Sequence, residues 1–164
     1  MSDWKKILFL DIDGVLNNDG FYTRTRGKAG NFDPENVKCL NQLSDLGVEV
    51  VISSSWGYDA GRTEKTLREV GVVLPIVGYT DHFHSDWFCR GNEIEKWLCD
   101  NFGSFGTKFG SKYYQKDYEY VIFDDDADML MGQKDNFVQT DRYKGLTQED
   151  IDKAISILER KSPE

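Results

Sequence analysis

An α/β fold layered around a largely parallel sheet is the class this sequence predicts, and three observations predict it. Short apolar runs rich in β-branched residues alternate with segments of helical periodicity along the chain. The runs at Ile7–Leu10, Val48–Ile52 and Tyr120–Phe123 are continuous rather than alternating, as in strands covered on both faces. Each of the three also stops on polar side chains: Asp11-Ile12-Asp13-Gly14, Ser53-Ser54-Ser55 and Asp124-Asp125-Asp126. Parallel strands point their C-terminal ends the same way, and open sheets bind ligands just beyond those ends. Groups far apart in sequence are therefore expected to meet at one rim.

The elements follow in order. After the first strand, Asn17 to Asn31 reads as a polar, glycine-containing loop carrying Arg24, Arg26 and Lys28. Asp33-Pro34 then has the form of an N-cap followed by proline at the first helical position, with Val37, Leu40, Leu43 and Leu46 at roughly helical spacing and Gly47 as the stop. Val48 to Ile52 is the second strand. A helix is expected over Thr63 to Val70, closed by Gly71, and a third strand over Val72 to Val77, which Pro75 confines to an edge. Tyr79 to Cys89 is loop-like. Ile94, Trp97 and Leu98 share one face of the next helix, and Phe102 to Tyr118 is aromatic, glycine-rich and basic without helical periodicity. Tyr120 to Phe123 and Phe137 to Gln139 supply the last strands. Thr147 caps a closing amphipathic helix through Ile151, Ala154, Ile155 and Leu158.

A chain of 164 residues with 39% hydrophobic and 30% charged side chains supports one core, so residues 1–164 are expected to form a single domain. The formal charge of −9 argues against broad electrostatic attachment to nucleic acid or anionic membrane, while leaving room for a local basic patch. Three cysteines without a Cys-x-x-Cys pair point to a reducing compartment. The first apolar run is too short for a signal-peptide core or a membrane span, so a cytoplasmic protein is expected.

Asp11 and Asp13 repel each other unless a cation or a proton lies between them. Carboxylates from two strand ends form a hard-oxygen cage suited to Mg²⁺. Neighbouring hydroxyl and cationic side chains would complete a phosphate site.

The combination Asp11-Ile12-Asp13-Gly14-Val15-Leu16, strand-end Ser53, Arg90 opening a helix and Phe123-Asp124-Asp125 resembles the haloacid dehalogenase (HAD) superfamily of phosphohydrolases. Ser53-Ser54-Ser55-Trp56, Arg90-Gly91-Asn92-Glu93-Ile94 and Thr140-Asp141 to Gly145-Leu146-Thr147 bring it closest to a small RNA-repair-associated branch, similar to the phosphatase domain of polynucleotide kinase-phosphatase. The resemblance implies a Rossmann-like, three-layer HAD-like fold with a small flap at about residues 17–32 in place of a large cap domain. It also implies a two-step phosphoryl transfer. Asp11 would be the nucleophile and Asp13 the general acid and then base, a role that crowding between the two carboxyls would assist by keeping a proton on one of them. Mg²⁺ would lie between Asp11, the backbone carbonyl of Asp13 and Asp124, with Asp125 in support and Asp128 further out. Ser53 and Arg90 would hold the phosphate, Lys96 on the same helix being the rival cation. Arg24, Arg26 and Lys28 in the flap are candidate substrate contacts, and an open site suits a polynucleotide end or a nucleotide as partner.

Other readings stand beside this one. A small-metabolite phosphatase would use the same scaffold. A receiver-type phospho-acceptor domain also has an acidic Mg²⁺ pocket, but its acceptor aspartate ends a middle strand, where this chain has Ser53. A non-catalytic nucleic-acid-binding relative should lack one of the key residues. His82, His84, Asp86 and Cys89 match no standard zinc spacing. Trp56 fits core packing better than base stacking, and the aromatic and basic 102–118 segment is either a single-strand binder or a solvated loop packed on the body.

Overall fold

The computed structural model describes residues 4–82, 89–103 and 117–160. Five strands, β1 (Lys5–Leu10), β2 (Val48–Ile52), β3 (Ile76–Tyr79), β4 (Tyr118–Asp124) and β5 (Phe137–Gln139), form one sheet in the order β3-β2-β1-β4-β5. Every pairing is parallel. Five α-helices are interleaved: α1 (Asp19–Thr25), α2 (Pro34–Asn41), α3 (Ala60–Glu69), α4 (Arg90–Phe102) and α5 (Gln148–Leu158). This is the Rossmann-like α/β architecture expected from the sequence.

The two-residue period of the strands sorts the core into two layers. Leu8 and Leu10 of β1, Val50 and Ile52 of β2, and Val121 and Phe123 of β4 pack against Leu40 of α2, Leu67 of α3 and Ile151 of α5. Ile7, Phe9, Val51, Tyr120 and Ile122 face the other way, onto Ile94 and Leu98 of α4. From β1 the chain winds outward through β2 to β3, then returns to the other side of β1 as β4 and β5. The order reverses between β1 and β4, which is where such sheets open a crevice at their C-terminal edge.

Three local differences from the sequence reading have plain causes. Residues Asp19–Thr25 of the expected loop form α1, whose first turn is closed by the Asn18 side chain accepting from the Phe21 N–H at 2.6 Å. That helix buries only Gly20 and Phe21, so it leaves no apolar period to read. The third strand begins at Ile76 rather than Val72. Pro75 has no N–H to give a ladder, and Val72 and Leu74 are buried in the lead-in instead of being paired. The strand is at the edge, as Pro75 required. Helix α3 starts three residues early, because Asp59 accepts from the Arg62 N–H. Cys39, Cys89 and Cys99 are free thiols. Among the described residues no helix is long and apolar enough to cross a membrane.

Candidate active site

The site begins with strand register. Leu10 lies opposite Phe123 on one side and Ile52 on the other. The ladder continues one step beyond, with Asp11 N–H donating to the Phe123 carbonyl at 2.9 Å and Ser53 N–H donating to the Leu10 carbonyl at 2.9 Å. Asp124, Asp11 and Ser53 therefore stand side by side across the switch point, on adjacent strands about 4.8 Å apart. All three continue the face that packs on α4, so the N-terminal turn of that helix meets them.

Beyond Asp11 the chain must turn back sharply. Gly14 has φ of +75°, and a Cβ there would lie 2.5 Å from the Asp125 Cγ, so both the backbone and the space demand glycine. Thr140 locks this turn to the end of β4. Its hydroxyl donates to the Gly14 carbonyl at 2.8 Å and its N–H donates to the Asp124 carbonyl at 3.0 Å. The result brings Asp125 beside Asp11 and Asp124. One carboxylate oxygen from each of these three residues lies within 4.8 Å of the others, the one such group of potential metal ligands among the described residues.

Packing three acids together in a mostly buried place raises their affinity for protons. Burial pushes the Asp11 carboxyl up to about 6. The Ser54 hydroxyl, the Ile12 N–H and the Arg90 charge oppose the shift, and Asp125 adds to it. Asp124 is pushed up to about 7, by burial first and the Asp11 charge second, although the Asp126 N–H bonds its Oδ1 at 2.9 Å. Asp125 is also raised by burial, against the pull of Arg142, whose Nε lies 3.3 Å from its Oδ2. A divalent cation would relieve this crowding, and three carboxylates are the hard donors that Mg²⁺ prefers. The donor set fits the ion.

The carboxylate of Asp13 stands apart from the trio. Asn17 Nδ2 donates to its Oδ1 at 2.7 Å and the Trp56 indole Nε1 donates to its Oδ2 at 3.1 Å. Trp56 is itself braced edge-on against Phe32, with ring centroids 5.5 Å apart. Two of the adjacent serines divide into different surroundings. The Ser54 hydroxyl lies close enough to Asp11 to lower its affinity for a proton and accepts from the Trp56 N–H at 3.4 Å, while the Ser53 hydroxyl is buried with no partner among the described residues.

Arg90 opens α4, and Asp128 anchors it there: Asp128 Oδ2 accepts from the Arg90 N–H at 3.0 Å and its carbonyl accepts from the Gly91 N–H at 2.9 Å. Asp128 thus caps the helix in place of Cys89, which makes no side-chain cap. The Arg90 guanidinium reaches Asp124 at 3.5 Å and Glu93 at 3.2 Å. Lys96 is engaged elsewhere, between Asp81 at 2.9 Å and Asp100 on the exposed side of α4. Arg24, Arg26 and Lys28 are exposed, Arg24 with Nη2 3.7 Å from Asp33. His82 stacks on Tyr58 and lies 3.9 Å from Glu93, whereas His84, Asp86 and the segment 104–116 lie outside the described residues.

Sequence reasoning gave Asn17 and Arg142 no role, preferred Ser53 to its neighbour Ser54, read Trp56 as core packing and quoted Thr140 only within a motif. Each acts through a contact made only when distant segments fold together; the run Ser53-Ser54-Ser55-Trp56 was the one local signal, and it did not separate its members.

A mostly buried acid trio at the switch point of a parallel Rossmann-like sheet, with an arginine brought to it by a helix N-terminus, defines a HAD-type domain. Comparison with protein families agrees: residues 7–151 match the family described as the HAD domain in Swiss Army Knife RNA repair proteins, and the chain belongs to that family. Membership supports a hydrolase of the HAD phosphatase type. No curated protein and no solved structure matches the chain.

Proposed function

We propose that this protein is a Mg²⁺-dependent phosphomonoester hydrolase that works through an aspartyl-phosphate and acts on polynucleotide ends or nucleotides. The observation that carries this reading is the meeting of Asp11, Asp124 and Asp125 within 4.8 Å at the rim, with the partnerless Ser53 hydroxyl in the adjoining strand.

In this reading Asp11 attacks phosphorus through one carboxylate oxygen, an acyl phosphate forms, and the ester oxygen leaves with the bonding pair. Asp13, held by Asn17 and Trp56, gives that oxygen a proton. The proton is taken back from the water that next attacks the acyl phosphate, so the cycle ends with inorganic phosphate, free Asp11 and protonated Asp13. The Ser53 hydroxyl donates to a non-bridging oxygen, which would satisfy a buried group that has no partner among the described residues. Arg90, already 3.5 Å from Asp124, counters charge on the transferring group. Ser54 keeps the Asp11 carboxylate aimed and partly offsets the burial that would otherwise keep it protonated. Asp11, Asp124 and Asp125 would hold Mg²⁺, which when bound neutralises the site enough for a phosphate dianion to approach.

The family's association with RNA repair and the exposed basic flap support a polynucleotide end over a small metabolite. The test is phosphate release across terminally phosphorylated oligonucleotides, nucleotides and sugar phosphates, with and without Mg²⁺. Metal-dependent release led by oligonucleotides is expected. Preference for sugar phosphates would move the reading to a metabolite enzyme, and no release from any ester would remove it.

A further inference from the structure

Two segments far apart in sequence form one surface beside the acid pocket. The N-terminal turn of α1 is hydrogen-bonded to the turn after β5: Asp19 N–H donates to the Arg142 carbonyl at 3.1 Å and Gly20 N–H to the Tyr143 carbonyl at 3.0 Å. The Tyr143 ring crosses Gly20 so closely that a Cβ there would lie 2.5 Å from the Tyr143 carbonyl and 3.0 Å from the ring. Asn36 fastens both halves to the body. Its Oδ1 accepts from Asn18 at 2.7 Å, and its Nδ2 donates to the Lys144 carbonyl at 3.1 Å and the Leu146 carbonyl at 2.9 Å.

The surface so fixed carries exposed phenols and cations side by side. Tyr22 and Tyr143 are 59% and 58% exposed, against a background in which large apolar side chains are mostly buried. Arg26, Lys28 and Lys144 are exposed around them and make no ion pair among the described residues. Arg26 also occupies a left-handed conformation, φ of 53°, at the end of α1, where asparagine or glycine would cost less. The patch begins at the pocket itself, through Arg142 on Asp125 at 3.3 Å. In a chain of net charge −9, a local group of cations interleaved with flat, exposed phenols matches the recognition of single-stranded nucleic acid, in which bases stack on aromatic rings and cations follow the backbone.

We infer that α1 and the 141–145 turn together form the track for the single strand leading to the scissile terminal phosphate, with Tyr22 and Tyr143 as base platforms and Arg26, Lys28 and Lys144 on the phosphodiesters. This rests on the polynucleotide-end reading above. It adds the surface, the residues and the requirement for several nucleotides.

Two measurements test it independently of turnover and through turnover. Anisotropy of a labelled, terminally phosphorylated single-stranded decanucleotide, titrated with Asp11→Asn protein, should give binding that weakens about tenfold for Tyr22→Ala and for Tyr143→Ala and is largely restored by the Phe variants. Lys28→Glu with Lys144→Glu should also flatten the salt dependence, by a slope of roughly 1 per lost contact. In wild-type protein, kcat/KM should rise with chain length from mono- to decanucleotide. The ratio of decanucleotide to aryl phosphate should fall about tenfold in the tyrosine variants. Equal kcat/KM for mono- and decanucleotide phosphates, with active enzyme, would overturn the track and leave the phosphatase reading standing. Tyrosine-dependent binding without release from any ester would retain the track and remove the phosphatase. Decanucleotide binding that ignores both tyrosines and both lysines, or that is matched by an acidic peptide of equal charge, would overturn the inference outright. Should Tyr143→Ala fail to fold, Tyr22→Ala on the exposed helix decides.

Discussion

At the β1–β4 rim, Asp11, Asp124 and Asp125 are largely shut off from water and crowd one another. A few residues away, around α1, Arg26, Lys28, Tyr22 and Tyr143 stand in solvent on a frame fixed by Asn18 and Asn36. The first region stores unfavourable electrostatics that a cation and a phosphate would relieve. The second costs the fold little and is open to any polyanion. If, as proposed, chemistry is carried by the rim and substrate choice by the surface around α1, damage to each should have a different signature: loss on all substrates from the rim, loss that grows with chain length from the α1 surface.

The largest effect is expected from Asp11→Asn, which keeps size and most hydrogen bonding while removing the proposed nucleophile. Turnover of aryl phosphate and oligonucleotide alike should fall by about a thousandfold or more, with the melting temperature retained. More than a tenth of the activity surviving in a clean preparation would contradict the assignment.

Next come the two cations of α4, an internal comparison within one helix. Arg90→Ala should lower kcat/KM by roughly a hundredfold, since its guanidinium reaches the pocket through Asp124. Lys96→Ala should change it less than about twofold, since Asp81 and Asp100 hold that side chain on the surface. Similar losses from both would mean that α4 presents a different face to substrate.

Trp56→Phe retains the ring against Phe32 and removes the N–H that bonds Asp13. Poor leaving groups depend on a well-aimed acid and good ones do not. An alkyl phosphate should therefore lose about tenfold in kcat/KM while a nitrophenyl phosphate loses much less. Equal losses on both esters would make Trp56 merely structural.

These cases also mark how far the sequence could be read. Asp11 and Asp124 were legible because an apolar run that halts at acids has few structural excuses, and parallel strands bring such ends together. The contacts that tune them were not. Trp56 Nε1 finds Asp13, and Arg142 finds Asp125, only through the tertiary meeting of loops. The division of labour between Ser53 and Ser54 depends on how the chain leaves β2. Helix α1 escaped notice because it buries too little to leave an apolar period, and β3 slid along the chain because Pro75 has no N–H to donate to a ladder.

The smallest expected effect is on stability. Asp11 and Asp124, with carboxyls at about 6 and about 7 in the fold, bind protons more tightly folded than unfolded. The stability they contribute is complete below their unfolded value of about 4 and is lost as pH rises through 6 to 7. Metal-free protein should consequently melt roughly 3 °C or more lower at pH 8 than at pH 5. Mg²⁺ should raise the melting temperature more at pH 8 than at pH 5, and Asp124→Asn should flatten the profile. A metal-free protein equally stable at both values would deny that the rim is electrostatically loaded.

The shared cation at the rim is tested most directly by crystals grown with Mn²⁺ in place of Mg²⁺ and with beryllofluoride as a phosphoryl mimic. One anomalous peak coordinated by Asp11, Asp124 and Asp125, with the fluoride complex on the Asp11 carboxylate beside Ser53, is the predicted result. A metal bound elsewhere, or beryllium seated on another aspartate, would contradict the account.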